Sequence, residues 1–199
     1  MVIAFQGEVG AYSEEALLGM YPEADVRPCV SFEAAFELVE KGKVDRAVLP
    51  IENSLFGSVH INYDLLRSHR VCIVDEGYLR IRHHLMGHPG ATLASINEVY
   101  SHPQALGQCQ DFLKLHLSHA RAIPAYDTAG AAKMVAASGD VGQAAIASKR
   151  AASEYDLTVL QSGIESNHQN FTRFLALEAF DDQEDTVIPH AERTSDSMK

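Results

Sequence analysis

Glu98-Val99-Tyr100-Ser101-His102-Pro103-Gln104-Ala105-Leu106 (residues 98–106) carries the reading that decides the fold. Glu98 to Ser101 reads as a short strand. Pro103 at a first helical turn loses no hydrogen bond, and a helix is expected from there to Leu115. Ser101 followed three residues later by Gln104 has the form of a capping box. The same strand-then-helix unit recurs outward in both directions. Downstream come Arg121–Ala125 and Thr128–Ala137, Gln143–Ala147 and Ser148–Tyr155, then strands at Leu157–Gln161 and Phe171–Ala179. Upstream, Val2–Phe5 is a strand, Gly7 and Gly10 make a turn, and Ser13 is placed to cap a helix from Glu14. Ser31 is expected to cap a helix through Glu40, with Gly42 as its stop. Ala47–Ile51 is the next strand, 52–57 a loop, and 58–68 a helix. Val71–Met86 reads as one long extended segment.

Alternating strands and helices imply an α/β protein. Two such series joined by long crossovers imply two lobes, each a mainly parallel sheet flanked by helices. The expected division is 1–77 with 171–180 for the first lobe, 78–170 for the second, and a polar tail over 181–199. Open α/β sheets bind ligands at the carboxyl ends of their strands. Glu52-Asn53-Ser54, Ser101-His102 and Asp127-Thr128 all follow strands, so these segments should meet at one cleft.

The chain has 199 residues, 46% of them hydrophobic, enough to bury a real core. No apolar run is long enough to span a bilayer, and no signal peptide precedes the first strand. Three isolated cysteines, Cys29, Cys72 and Cys109, fit a reducing cytoplasm better than a disulfide framework. A net charge of −11 argues against a nucleic-acid partner. From Asp181 to Lys199 the sequence holds six acids against two bases.

In Asn170-Phe171-Thr172-Arg173-Phe174, before the apolar Leu175-Ala176-Leu177, a hydroxyl and a guanidinium stand side by side. Thr172 can donate a hydrogen bond or a proton, and Arg173 offers a fork that fits a carboxylate. The pair points to a small carboxylic acid that loses an oxygen; a structural salt bridge is the competing reading for Arg173. Asn53 and Ser54, in a loop expected to open a helix, offer donors to an anion, though Asn53 also suits a helix cap. Ser101, Gln104 and Thr128 are candidate ligands at helix starts, with Asp127 read as a cap. Asn170 and Phe174 are expected to shape the pocket. His83, His84 and His88 include an i, i+4 pair, but on an extended segment that spacing does not focus two imidazoles on one metal. Cys109 reads as core.

Asn167-His168-Gln169-Asn170-Phe171-Thr172-Arg173-Phe174 closely resembles the signature of prephenate dehydratases. Four other segments resemble that family in its own order: Gly7 to Ala16, Pro50 to Val59, Ser101 to Cys109, and Asp127 to Ala132. The resemblance covers residues 2 to 180. It implies a two-lobed fold like type II periplasmic binding proteins and a carbon–oxygen lyase that turns prephenate into phenylpyruvate for phenylalanine biosynthesis. It implies Thr172 as the catalytic threonine and Arg173 as the carboxylate clamp. Asn53, Ser54, Ser101, Gln104, Thr128, Asn170 and Phe174 are then the expected substrate-binding residues. No cofactor and no metal is expected; nor is a membrane partner. The family is commonly a homodimer or larger. It usually continues into a small phenylalanine-sensing ACT domain, which would begin about where this sequence stops, so little phenylalanine inhibition is expected. The rival readings are an arogenate dehydratase and a non-catalytic two-lobed sensor of small acids.

Overall fold

The computed structural model describes residues 1–180; the expected polar tail lies outside them. Among the described residues, eleven strands form two sheets and seven helices connect or flank them. The first half runs β1 (Val2–Gln6), α1 (Tyr12–Met20), β2 (Asp25–Cys29), α2 (Phe32–Glu40), β3 (Arg46–Asn53), β4 (Gly57–Ser58), α3 (His60–Ser68) and β5 (Val71–Arg80). The second runs β6 (His84–Gly87), β7 (Glu98–Ser101), α4 (Pro103–Gln108), α5 (Gln110–His116), β8 (Arg121–Pro124), α6 (Thr128–Ser138), β9 (Gln143–Ala147), α7 (Lys149–Glu154) and β10 (Thr158–Ser162). The last strand, β11 (Phe171–Ala179), returns to the first sheet.

The first sheet is ordered β2-β1-β3-β11-β5, with β4 beside β3; the second is β10-β6-β9-β7-β8. The α/β class with two helix-flanked sheets holds; each sheet is mixed, with one strand of its main path reversed. β1 pairs in parallel with β2 and β3, and β7 with β8 and β9. β11 and β6 run antiparallel to both their neighbours. Each is the first strand after the chain crosses from the other lobe, so each enters its sheet from the opposite end. The reversal has a functional consequence. The starts of β11 and β6 lie level with the carboxyl ends of β3 and β9: Thr172 is opposite Asn53, and His84 is opposite Ala147.

The expected extended run over 71–86 is broken into β5 and β6. β5 stays paired in the first sheet through Arg80, beyond the expected division at residue 77. The crossing segments, 81–83 and 163–170, are tied to one another: Ile81 N–H donates to Asn170 O (2.8 Å) and Ile164 N–H to His83 O (3.0 Å). The buried Glu165 carboxylate accepts the His83 N–H at 2.9 Å.

Packing joins the lobes further. One core cluster contains Phe5, Val48 and Phe174 from the first sheet and Met86, Ala145 and Ala147 from the second, with Leu17, Ala132 and Ala151 between. The alanines let α6 and α7 approach closely. Gly10 belongs to this contact: its φ is +89°, and a Cβ there would lie 2.8 Å from Ala151 Cα, so a side chain would meet both backbone strain and a clash.

Helix starts follow the sequence in part. Ser31 caps α2 by accepting the Ala34 N–H (3.1 Å), and Asp127 caps α6 through Gly130 N–H. α1 begins at Tyr12 with no side-chain cap, so Ser13 does not take that role. The cap of α4 is His102, which accepts the Gln104 N–H at 3.3 Å. Ser101 is buried and donates to Ile146 O at 2.6 Å, which replaces the expected capping box with a strand-to-strand tie. The expected helix over 103–115 is divided at Cys109, a fully buried core residue.

Candidate active site

A cleft of about 580 Å³ opens between the sheets. Gln6 and Asn53 at the ends of β1 and β3, His102 after β7, and Tyr126 to Thr128 after β8 all line it. The carboxyl ends of strands from both sheets therefore converge on one place, as this topology requires. The starts of the reversed strands add Asn170, Thr172 and Phe174 from one side and His83 from the other.

Thr172 and Phe174 point to the same side of β11 because alternate strand residues share a face. Thr172 is 8% exposed. Asn53 is placed by the turn between β3 and β4, where its Oδ1 accepts the N–H groups of Leu55 (2.9 Å) and Phe56 (3.2 Å). Gly57 closes that turn with a φ of +78°. Asn53 is therefore in a hairpin, not at the opening of a helix.

Those two backbone donors fix the polarity of a chain of side chains. N–H groups can only donate, so Oδ1 of Asn53 must face them and Nδ2 must face the cleft. Nδ2 then donates to Thr172 Oγ1 (2.9 Å) and to Asn170 Oδ1 (2.8 Å). Asn170 in turn presents its Nδ2 to Gln108 Oε1 at 3.0 Å. Gln108 Oε1 also meets His83 Nε2, and His83 Nδ1 lies 2.8 Å from the Tyr12 hydroxyl. The result at Thr172 is specific. Its oxygen accepts from Asn53, so its hydrogen has no acceptor among the described residues and is free to point to a ligand.

The cleft is poor in positive charge. Among the described residues lining the cleft, none is lysine or arginine. Burial pushes the His83 imidazole below its ordinary value, which favours the neutral ring. Burial pushes the Tyr12 phenol well up, so it remains a hydroxyl. Burial also raises Asp127. The cleft offers neutral donors: a hydroxyl, amides and the start of α6.

Six of the expected site residues meet here: Asn53, Gln104, Thr128, Asn170, Thr172 and Phe174. Three do not. Arg173 lies on the other face of β11, where its Nε donates to Glu76 at 2.9 Å and a second guanidinium nitrogen reaches the same carboxylate. Strand alternation gives the reason: the neighbour of a cleft-facing residue faces away. Arg173 as a carboxylate clamp is thus corrected to an ion pair. Ser54 donates to Gln169 O (2.8 Å) and accepts the Phe171 N–H (2.9 Å), fastening the hairpin to the start of β11. Ser101 is sealed beneath the site by its bond to Ile146. Gln108, His83 and Tyr12 were not expected. Gln108 was reachable from sequence, because it stands four residues after Gln104 on the same helical face. For His83 no local signal existed, since its partners are 25 and 71 residues away.

Such a cleft defines a class: a two-lobed α/β protein whose cleft is lined largely by neutral hydrogen-bonding groups. A family model described as prephenate dehydratase matches residues 3–181. The chain belongs to the prephenate dehydratase family. It is 49% identical over 191 residues to "Arogenate dehydratase/prephenate dehydratase 1, chloroplastic" of Arabidopsis thaliana, covering 96% of this chain and 47% of the relative. It is 50% identical over 176 residues to "Arogenate dehydratase 2" of Petunia hybrida, covering 88% and 44%. The chain thus spans less than half the length of these curated relatives. Among solved structures it is similar to a prephenate dehydratase of Arthrobacter aurescens in complex with L-Phe, with a TM-score of 0.83 at 30% identity, covering 90% of this chain and 60% of that one. It matches equally well, at TM-score 0.83 and 35% identity, a protein described as GqqA, a novel type of quorum quenching acylase, covering 90% and 64%.

Proposed function

We propose that this chain carries the active site of a prephenate dehydratase and makes phenylpyruvate for phenylalanine biosynthesis. The observation that carries the reading is the free hydroxyl hydrogen of Thr172, aimed into the cleft by the Asn53 amide. In prephenate the ring carboxylate leaves as carbon dioxide, and its bonding electrons move into the ring. The C4–oxygen bond breaks at the far side, and the departing hydroxyl takes up a proton to leave as water. The ring becomes aromatic, so the enzyme needs only to orient the dienol and to stabilise the leaving oxygen. Thr172 supplies a hydrogen bond or proton at that oxygen. Asn53, Asn170 and Gln108 position it, and Gln104, Thr128 and the amides at the start of α6 are placed to receive carboxylate.

Phenylpyruvate formation by the purified chain, beside Thr172→Ala, tests this. Turnover by the parent with a large loss in the variant is expected; a variant with full turnover would remove the assignment of Thr172. Arogenate carries an ammonium where prephenate carries a keto group, and several relatives bear that substrate's name. Parallel kcat/KM measurements on both decide between them. A non-catalytic acid sensor would have no use for a donor at a leaving oxygen. Acyl transfer, the activity named for one structural relative, calls for a nucleophile beside a base. Thr172 has neither histidine nor carboxylate as a hydrogen-bond partner among the described residues.

No helix among the described residues is long and apolar enough to cross a membrane. We place the chain in the cytoplasm, a reading supported by three cysteines that are all free. We also assign it a homodimeric or larger state. Ile73 and Val74 on the edge strand β5, with Tyr63 of α3, form an exposed apolar patch suited to such a contact. Light scattering on the purified chain would test it.

A further inference from the structure

His83 stands at the end of the amide chain that begins at Asn53, and the same polarity argument reaches it. Asn53 Oδ1 is committed to two backbone donors, so each amide along the chain has one orientation. Gln108 Oε1 therefore faces Asn170 Nδ2, and His83 Nε2 faces that same oxygen. An acceptor requires a hydrogen opposite it, so His83 Nε2 bears the proton. Nδ1 is then an acceptor in the neutral ring, and the one hydrogen of the Tyr12 hydroxyl is divided between that nitrogen, 2.8 Å away, and the Arg82 carbonyl oxygen at 2.9 Å. The ring is 3% exposed. It faces Tyr12 from α1 and Gln108 from α4. Glu165 binds its backbone N–H, and His84 is its neighbour on the chain. Burial is the largest influence on this ring, and it favours the neutral form.

We infer that His83 is a positioning residue: its Nε2–H locks the Gln108 carbonyl inward and so holds the Gln108 Nε2 hydrogens toward the ligand. Flipping the Gln108 amide would set its NH₂ against two donors, Asn170 Nδ2 and His83 Nε2–H. Without His83 only one of those conflicts remains. The alternative orientation would present a carbonyl oxygen to a carboxylate. In a cleft whose described lining lacks lysine and arginine, one donor replaced by an acceptor changes an attraction into a repulsion.

The inference rests on the proposed anionic substrate, but its first test does not. Long-range ¹H–¹⁵N correlation on the ¹⁵N-labelled protein reads the His83 tautomer directly. A protonated Nε2 with a bare Nδ1 is expected; an Nδ1–H tautomer overturns the inference whatever the activity. The second test is kinetic. His83→Leu should raise KM for prephenate about 10- to 100-fold, the scale of a hydrogen bond to a charged group. His83→Gln, which can return an N–H₂ to the position of Nε2, should recover most of that loss. Equal KM values in the two variants, or a fall in kcat with KM unchanged, overturn the positioning role. Tyr12→Phe keeps the ring and provides a variant independent of any folding defect in His83→Leu. It should keep the Nε2–H tautomer in the same spectrum, because the Gln108 carbonyl sets it; an Nδ1–H tautomer there would overturn the inference. A parent that turns over no prephenate sinks the functional reading and leaves the tautomer result standing.

Discussion

Thr172 and Arg173 are adjacent in the chain and opposite in surroundings. Thr172 faces the cleft, is nearly buried, and has its oxygen satisfied by Asn53. Arg173 faces outward beside Glu76, in a shallow surface groove with Tyr63 and Ile73. The cleft side works with neutral groups whose polarity is set by backbone amides. The outer side carries the full charges, paired with one another. In a protein of net charge −11, the proposed anion site thus uses no cation from the strand that holds Thr172. Neutral donors avoid the desolvation cost of a buried guanidinium, and an ion pair on the outer face is screened by water.

The largest expected effect is on the cleft face. Thr172→Ala should lower kcat about 10²- to 10⁴-fold if the hydroxyl acts as a general acid. Asn53→Asp comes next. It keeps the shape but replaces two donors with acceptors, so the Thr172 hydrogen would turn to the new carboxylate and away from substrate. A loss in kcat of about 10²- to 10³-fold is expected, comparable to removing one oxyanion donor; a variant with parental kcat would show that the amide does not orient Thr172.

A third effect is on stability and has a sign. Burial alone would raise the Glu165 carboxyl, but its own N–H, the His83 N–H and the His168 ring outweigh burial and hold it below its ordinary value. A depressed carboxyl contributes stability that is present above its unfolded pKa and lost as pH falls through its folded pKa. Urea unfolding followed from neutral to acidic pH should show that loss, and Glu165→Gln should flatten it. The smallest effect belongs to the outer face. Arg173→Gln should leave kcat/KM for prephenate close to that of the parent. A strong rise in KM would return Arg173 to the site and break the contrast between the two faces.

Much of this was legible in the sequence. Strands at 98–101, 143–147 and 171–179 were read at their observed limits, because each is an apolar run flanked by turn or cap residues. The caps at Ser31 and Asp127 were equally plain, since a short oxygen-bearing side chain before an apolar helix has few other uses. The errors share a cause. Ser101 fits a capping box in every local respect, yet its hydroxyl is drawn to Ile146 O on the neighbouring strand β9, 45 residues along the chain. Arg173 has the chemistry of a carboxylate clamp, but the parity of the strand turns it outward.

Sequence by itself determined the α/β alternation, the family, and six of the residues in the cleft, because propensity, capping and motif spacing act over a few residues. Tertiary structure decided which faces those residues occupy. It set β11 and β6 antiparallel within their sheets, since each enters from the opposite lobe. It also brought Gln108 and His83 into line with Asn53 and Thr172. Hydrogen-bond polarity passes from one partner to the next, so the direction in which Thr172 donates is fixed by contacts more than 100 residues apart, and no local pattern encodes them.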